Sequence, residues 1–170
     1  MKVELLPVKR QQVDAEKTRV YAPVARESGM GWKELKAGLC RVMQDYCGEY
    51  KSEKILKLGL EMFRSISESE AATVYARNPH ELARSLETLN HITLGEAIMH
   101  ASLARKASSN RLGFKRLDYP QNDPPEWNKF VTVKLGKEDV SAGERPLRWW
   151  LQPPYAPTYE ENYWKHCSLK

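Results

Sequence analysis

Apolar residues change their spacing along this chain, and the changes divide it into three stretches. Residues 1–29 are polar, carry Pro7 and Pro23, and show no sustained period, so they read as an entry linker lying along a surface. Beyond residue 30 the pattern becomes helical. Trp32, Leu35, Leu39, Val42 and Tyr46 recur at three- and four-residue steps and make one apolar stripe. Gly48 is placed to end that helix. Ser52 is a candidate N-cap with Glu53 in the first turn. Behind it Ile55, Leu56, Leu60, Met62, Phe63 and Ile66 form a second stripe, which the composition of 71–76 allows to continue. The third start has the fullest signature: Asn78 as cap, Pro79 at the first helical position and Glu81 at the capping-box position. Leu82, Leu86, Leu89, Ala97, Ile98, Ala101 and Ala104 carry that helix to about Lys106, with Gly95 marking a close helix crossing.

An isolated amphipathic helix is marginal until its apolar face is covered. Three of them joined by short connections predict an all-α, up-down-up three-helix bundle over residues 30–107. Residues 108–170 then read as an extended C-terminal tail. Residues 104–170 hold seven of the ten prolines and ten of the sixteen aromatic residues, a composition unlike that of the preceding helices. Asp123-Pro124-Pro125 predicts a turn, and Lys129–Leu135 alternates enough for a short strand or hairpin. The stretch from Arg148 through Trp149, Trp150 and the following prolines is expected to be non-helical. It carries too much apolar surface to remain free, since burying a large aromatic side chain is worth about 1.5–3 kcal/mol. The tail is therefore expected to pack on the bundle or on a partner.

Charge sharpens the division. The net charge is +5, but residues 1–103 are nearly balanced with 15 basic and 14 acidic groups. The excess lies in 104–170, where Arg105, Lys106, Arg111, Lys115 and Arg116 precede any acid. Such a cluster suits an anion or an acidic partner surface; at a helix end, cations also complement the negative pole of the helix dipole. Basic groups interleaved with Trp and Tyr are also found in single-strand nucleic-acid binders. Here the excess is four charges over 67 residues and the prolines suit packing, so no nucleic-acid partner is expected. No apolar run is long enough to span a bilayer, and the N-terminal segment has no secretion-signal pattern. Three cysteines without a disulfide-framework spacing fit a cytoplasmic protein.

Residues in the spacing of a catalytic site are few. Cys40 and Cys47 are seven apart on one helix and read as core thiols, without the close pairing of zinc or iron–sulfur ligands. His80, His91, His100 and His166 are scattered and read as surface or capping groups. Gly29 and Gly31 form a GxG without the third glycine of a dinucleotide fingerprint. No phosphate loop or nucleophile elbow is present. The reading is a chain with no catalytic, cofactor-binding or metal-binding residues of its own, inactive alone.

Two segments together carry a family likeness: Leu94 to Lys106, which ends a helix in an arginine–lysine pair, and Leu117 to Trp127, an acidic–aromatic–proline turn leading to tryptophan. They resemble the C-terminal helical domain of the succinate dehydrogenase/fumarate reductase flavoproteins. Val20-Tyr-Ala-Pro23, Leu35–Gly48 and Pro79–Leu89 extend the likeness over about residues 14–133. The distance from the arginine–lysine pair to Asp118-Tyr119-Pro120 is more similar to that in the adenylylsulfate reductase alpha subunit. At two positions the chain departs from the family pattern: Ala107 stands where that pattern has Glu, and Ser109 where it has Arg. Arg and Ser are not interchangeable as anion ligands, so the substrate is not carried over.

The resemblance implies a C-terminal domain of an FAD-dependent oxidoreductase, with FAD in the full-length flavoprotein. Its implied partners are the FAD-binding domain and an iron–sulfur subunit. Arg105, Lys106, Arg111 and Arg116 are the expected polar contacts with the FAD domain, Asp118 and Tyr119 fix the turn, and Trp127 completes the domain interface. The plainer alternative makes Arg105 and Lys106 helix-end cations and Asp118 a turn former. A second function class also stays open: an independent protein-binding, or RNA-binding, helical module with no redox role.

Overall fold

The computed structural model describes residues 7–136, 139–148 and 156–167. It is mostly helical. Among the described residues there are five α-helices: α1 (Arg10–Tyr21), α2 (Trp32–Tyr46), α3 (Glu53–Glu68), α4 (Pro79–Ala104) and α5 (Ala156–Cys167). Two pairs of strands accompany them. β1 (Tyr50–Lys51) runs parallel to β2 (Lys115–Arg116), and β3 (Lys129–Leu135) pairs antiparallel with β4 (Val140–Pro146).

The backbone divides into two compact units: Met1–Gly48 with Lys54–Ala97, and Glu49–Glu53 with Ile98–Lys170. The first holds a core of aliphatic and aromatic side chains. Leu35, Leu39 and Val42 of α2, Leu56 and Phe63 of α3, and Ile92 of α4 are buried, all positions picked out by helical spacing except Ile92. Gly95 lets α4 approach the Phe63 ring closely: a Cβ there would lie 2.6 Å from Cζ.

Helix α4 starts as its sequence dictates. Asn78 Oδ1 accepts the Glu81 backbone N–H at 3.0 Å. Glu81 reaches back to the Arg77 N–H at 2.9 Å, one residue earlier than in the standard reciprocal box. The Arg77 guanidinium bonds the same carboxylate and holds it far below the ordinary carboxylate range, at about 2.

The entry segment is helical over residues 10–21: Pro7 and Pro23 bracket this stretch instead of interrupting it, and the Arg10–Asp14 and Glu16–Arg19 pairs support a helix that buries none of its residues. Three expectations are corrected. Helix α3 stops at Glu68, and residues 71–73 form a separate 3-10 turn. There Thr73 and Tyr75 exchange backbone hydrogen bonds with Met30. Cys40 is exposed and Cys47 half-buried, so neither is a core thiol. The chain end contains α5, because Pro157 sits in the first helical turn, where its missing N–H costs nothing. The tail segment around Trp149 and Trp150 lies outside the described residues. Gly29 has a steric cause: a Cβ there would stand 1.9 Å from the Thr73 carbonyl oxygen. No helix among the described residues is long and apolar enough to cross a membrane.

Candidate functional site

The residues singled out at the junction of α4 and the tail converge within the second unit, around Arg116. Its guanidinium is 1% exposed. Nη1 donates to the carbonyls of Ser102 (2.5 Å), Leu103 (3.3 Å) and Arg105 (2.8 Å). Those are carbonyls that the end of α4 leaves without intrahelical partners, and a cation there also complements the dipole. Nε and Nη2 form a two-pronged pair with Asp118, at 2.8 and 2.7 Å. Tyr119 covers the group with its ring 5.0 Å from Cζ.

Asp118 has a second duty. Its Oδ2 accepts the backbone N–H of Glu53, the first residue of α3, at 2.8 Å. Ser52, expected to cap that helix, is thus joined by a carboxylate 65 residues away in sequence. The Arg116 pair, with help from the Glu53 N–H, holds the Asp118 carboxyl at about 2, below its ordinary 3.8. Ser108 locks the backbone beside it: its Oγ accepts the Arg116 N–H at 2.9 Å and donates to the Tyr119 carbonyl at 2.8 Å. The β1–β2 pairing fastens the same stretch, with Lys115 N–H donating to Glu49 O and Leu117 N–H to Lys51 O. Ala107 and Ser109, the two departures from the family pattern, are both buried here. Their small side chains fit these packed positions.

The Arg105 side chain stands apart from this lock, although its carbonyl takes part in it. Its Nη1–H donates to the Trp127 carbonyl at 3.2 Å, and Cζ lies 5.8 Å from both the Trp127 and Phe114 rings. Lys129 approaches Trp127 as well, with Nζ 4.5 Å from the ring. Ser109 and Phe114 exchange backbone hydrogen bonds of 2.7 and 3.0 Å, which turns the chain tightly and carries Arg111 and Leu112 out on its tip. Lys106 is exposed. Arg105, Arg111, Leu112, Trp127, Lys129 and Phe130 border a groove of about 480 Å³.

The seven expected interface residues thus separate into two roles. Arg116, Asp118 and Tyr119 make an internal lock, whereas Arg105, Lys106, Arg111 and Trp127 remain wholly or partly accessible. Ser108 and Lys51 were missed in the sequence. Lys51 is buried with Nζ 4.3 Å from the Phe114 ring, and nothing in its local pattern distinguishes it from a surface lysine. Among the described residues no cluster of three or more His, Cys, Asp or Glu side chains could hold a metal ion.

This arrangement of a long helix, an arginine-capped end and an acidic–aromatic–proline turn coincides with a known family. Residues 36–159 match the model of the fumarate reductase flavoprotein C-terminal region, and the chain belongs to that family. No curated protein matches the sequence. Among solved structures, adenosine-5-phosphosulfate reductase in complex with sulfite is similar with a TM-score of 0.75 at 23% identity, over 82% of this chain and 25% of that one. Mycobacterium smegmatis Sdh1 in complex with UQ1 aligns with a TM-score of 0.65 at 22% identity, over 82% of this chain and 24% of that one. An E. coli quinol fumarate reductase FrdA variant gives 0.64 at 18% identity, over 85% and 26%. At such identities the likeness speaks for the fold. The chain spans about a quarter of the length of these solved chains.

Proposed function

We propose that this chain serves as the C-terminal helical domain of an FAD-dependent oxidoreductase of the fumarate reductase, succinate dehydrogenase and adenylylsulfate reductase type. It packs on the FAD-binding domain, with an iron–sulfur subunit as a further partner, and has no complete active site of its own. The observation that carries this reading is the family match over residues 36–159. The Arg116–Asp118 lock supports it, because it gives a fixed shape to a junction that carries accessible cations. In this reading residues 30–107 act as a three-helix bundle, residues 1–29 lead into it, and residues 108–170 are the extension that meets the partner. Phe63 packed against Gly95 favours the bundle.

FAD chemistry, when the cofactor is bound in the flavin domain, is hydride and electron transfer. This chain's residues contribute shape and charge to the domain contact and hold none of the reacting groups. Titrating the purified chain into the FAD-binding domain of its flavoprotein by calorimetry tests the reading. Saturable association is expected, and the chain alone should show no flavin absorbance. An absence of association, or a yellow chain carrying bound flavin, would overturn it.

A further inference from the structure

The groove of the second unit has a composition that its internal lock does not need. Arg105 and Arg111 form no ion pair among the described residues, whereas Lys129 is paired with Glu144 at 2.5 Å. Arg105 also has a buried Nε without a hydrogen-bond partner. Its guanidinium is held in place by the Trp127 carbonyl and the two flanking rings, so little conformational freedom remains to be lost on binding. Arg111 stands on the tight turn closed by Ser109 and Phe114, beside Leu112, which is 70% exposed. Phe130 on β3 is exposed on the groove too, and Asp123 is the acid that borders it. Among the described residues, two guanidinium groups without an ion pair therefore stand next to exposed apolar side chains. Arginine and aromatic residues with an apolar centre are the anchors that protein partners use, and uncompensated positive charge selects an acidic surface.

We infer that this groove receives an acidic segment of the flavin-binding domain, one that presents a carboxylate to Arg105 and Arg111 beside an apolar side chain against Leu112 and Phe130. The inference rests on the proposed function and gives the contact a place and a chemistry. A carboxylate meets the forked donors of arginine in a two-pronged geometry that lysine cannot reproduce. The apolar neighbour removes water from the pair and strengthens it.

The test measures binding of the full chain to the FAD-binding domain by calorimetry at low and moderate salt. Variants are Arg111→Glu, Leu112→Ser, and Arg64→Glu on α3 as a control for net charge. Circular dichroism melting verifies that each variant folds; Arg111 and Leu112 are exposed on a turn, so melting temperatures should match. Arg111→Glu and Leu112→Ser are each expected to weaken binding by about tenfold or more, with Arg64→Glu within about twofold and wild-type binding weakened by salt. Equal binding by all the variants would overturn the inference and leave the proposed function standing. So would a loss with Arg64→Glu equal to that with Arg111→Glu, which would mean a diffuse charge effect. If the wild-type chain fails to bind, the proposed function falls first and the inference with it.

Discussion

Replacing Asp118 removes one carboxylate that serves two backbone ends at once. It pairs with the buried Arg116 and accepts the Glu53 N–H at the start of α3. Losing an N-cap costs about 1 kcal/mol. Stranding a buried cation costs about 3–5 kcal/mol, less here because Arg116 keeps three carbonyl acceptors and Asp118 is 29% exposed. Asp118→Ala should therefore lose about 3 kcal/mol. The depressed acidity is a separate measure: moving from an ordinary 3.8 to about 2 corresponds to about 1 kcal/mol after allowance for solvent screening. A carboxyl whose pKa falls on folding contributes that stability above its unfolded value and loses it as pH falls through the folded one. Asp118→Asn keeps the size and a capping oxygen while removing the charge. Its deficit in urea denaturation should be about 1 kcal/mol at pH 7, and should narrow as pH drops from near 3.8 toward 2. Equal stabilities at pH 7, or a deficit unchanged at pH 2, would refute the lock.

Three further outcomes follow from the same geometry. Ser108→Ala leaves the buried Arg116 N–H without its acceptor and should cost about 1–3 kcal/mol in the same denaturation assay. Gly95→Ala gains about 1 kcal/mol of helix propensity but drives a methyl group against the buried Phe63 ring, so thermal melting should show net destabilisation; a rise in melting temperature would contradict the close crossing. In Arg77→Ala the Glu81 carboxyl should titrate higher than its value of about 2, moving toward an ordinary glutamate's, as followed by carbon-detected NMR.

Much of the helical layout was legible because it depends on local pattern. The stripe from Trp32 to Tyr46 and the Asn78-Pro79-x-Glu81 start specify helices through spacing and capping alone, and α2 and α4 begin where those signals stand. The strand at Lys129–Leu135 was legible from its alternation. Helix α1 was not, since it is a stretch with no apolar stripe that buries none of its residues and carries only exposed side-chain ion pairs. The candidate site was legible as a set of residues and not as a structure. Arg105, Arg111, Arg116 and Asp118 stood out by charge, but charge alone does not tell a surface contact from a buried lock.

That separation is the part only tertiary structure decided. Sequence by itself determined the amphipathic helices, the proline-rich change of character after Ala104 and the family pattern around Arg105-Lys106 and Asp118-Tyr119-Pro120, because each is written in neighbouring residues. Which arginine turns inward depends on where the carbonyls of Ser102, Leu103 and Arg105 lie relative to β2, and that in turn depends on β2 pairing with β1 more than sixty residues earlier. Contacts between distant residues set the desolvation and pairing of each charge, so Arg116 is consumed by the fold while Arg111 stays exposed.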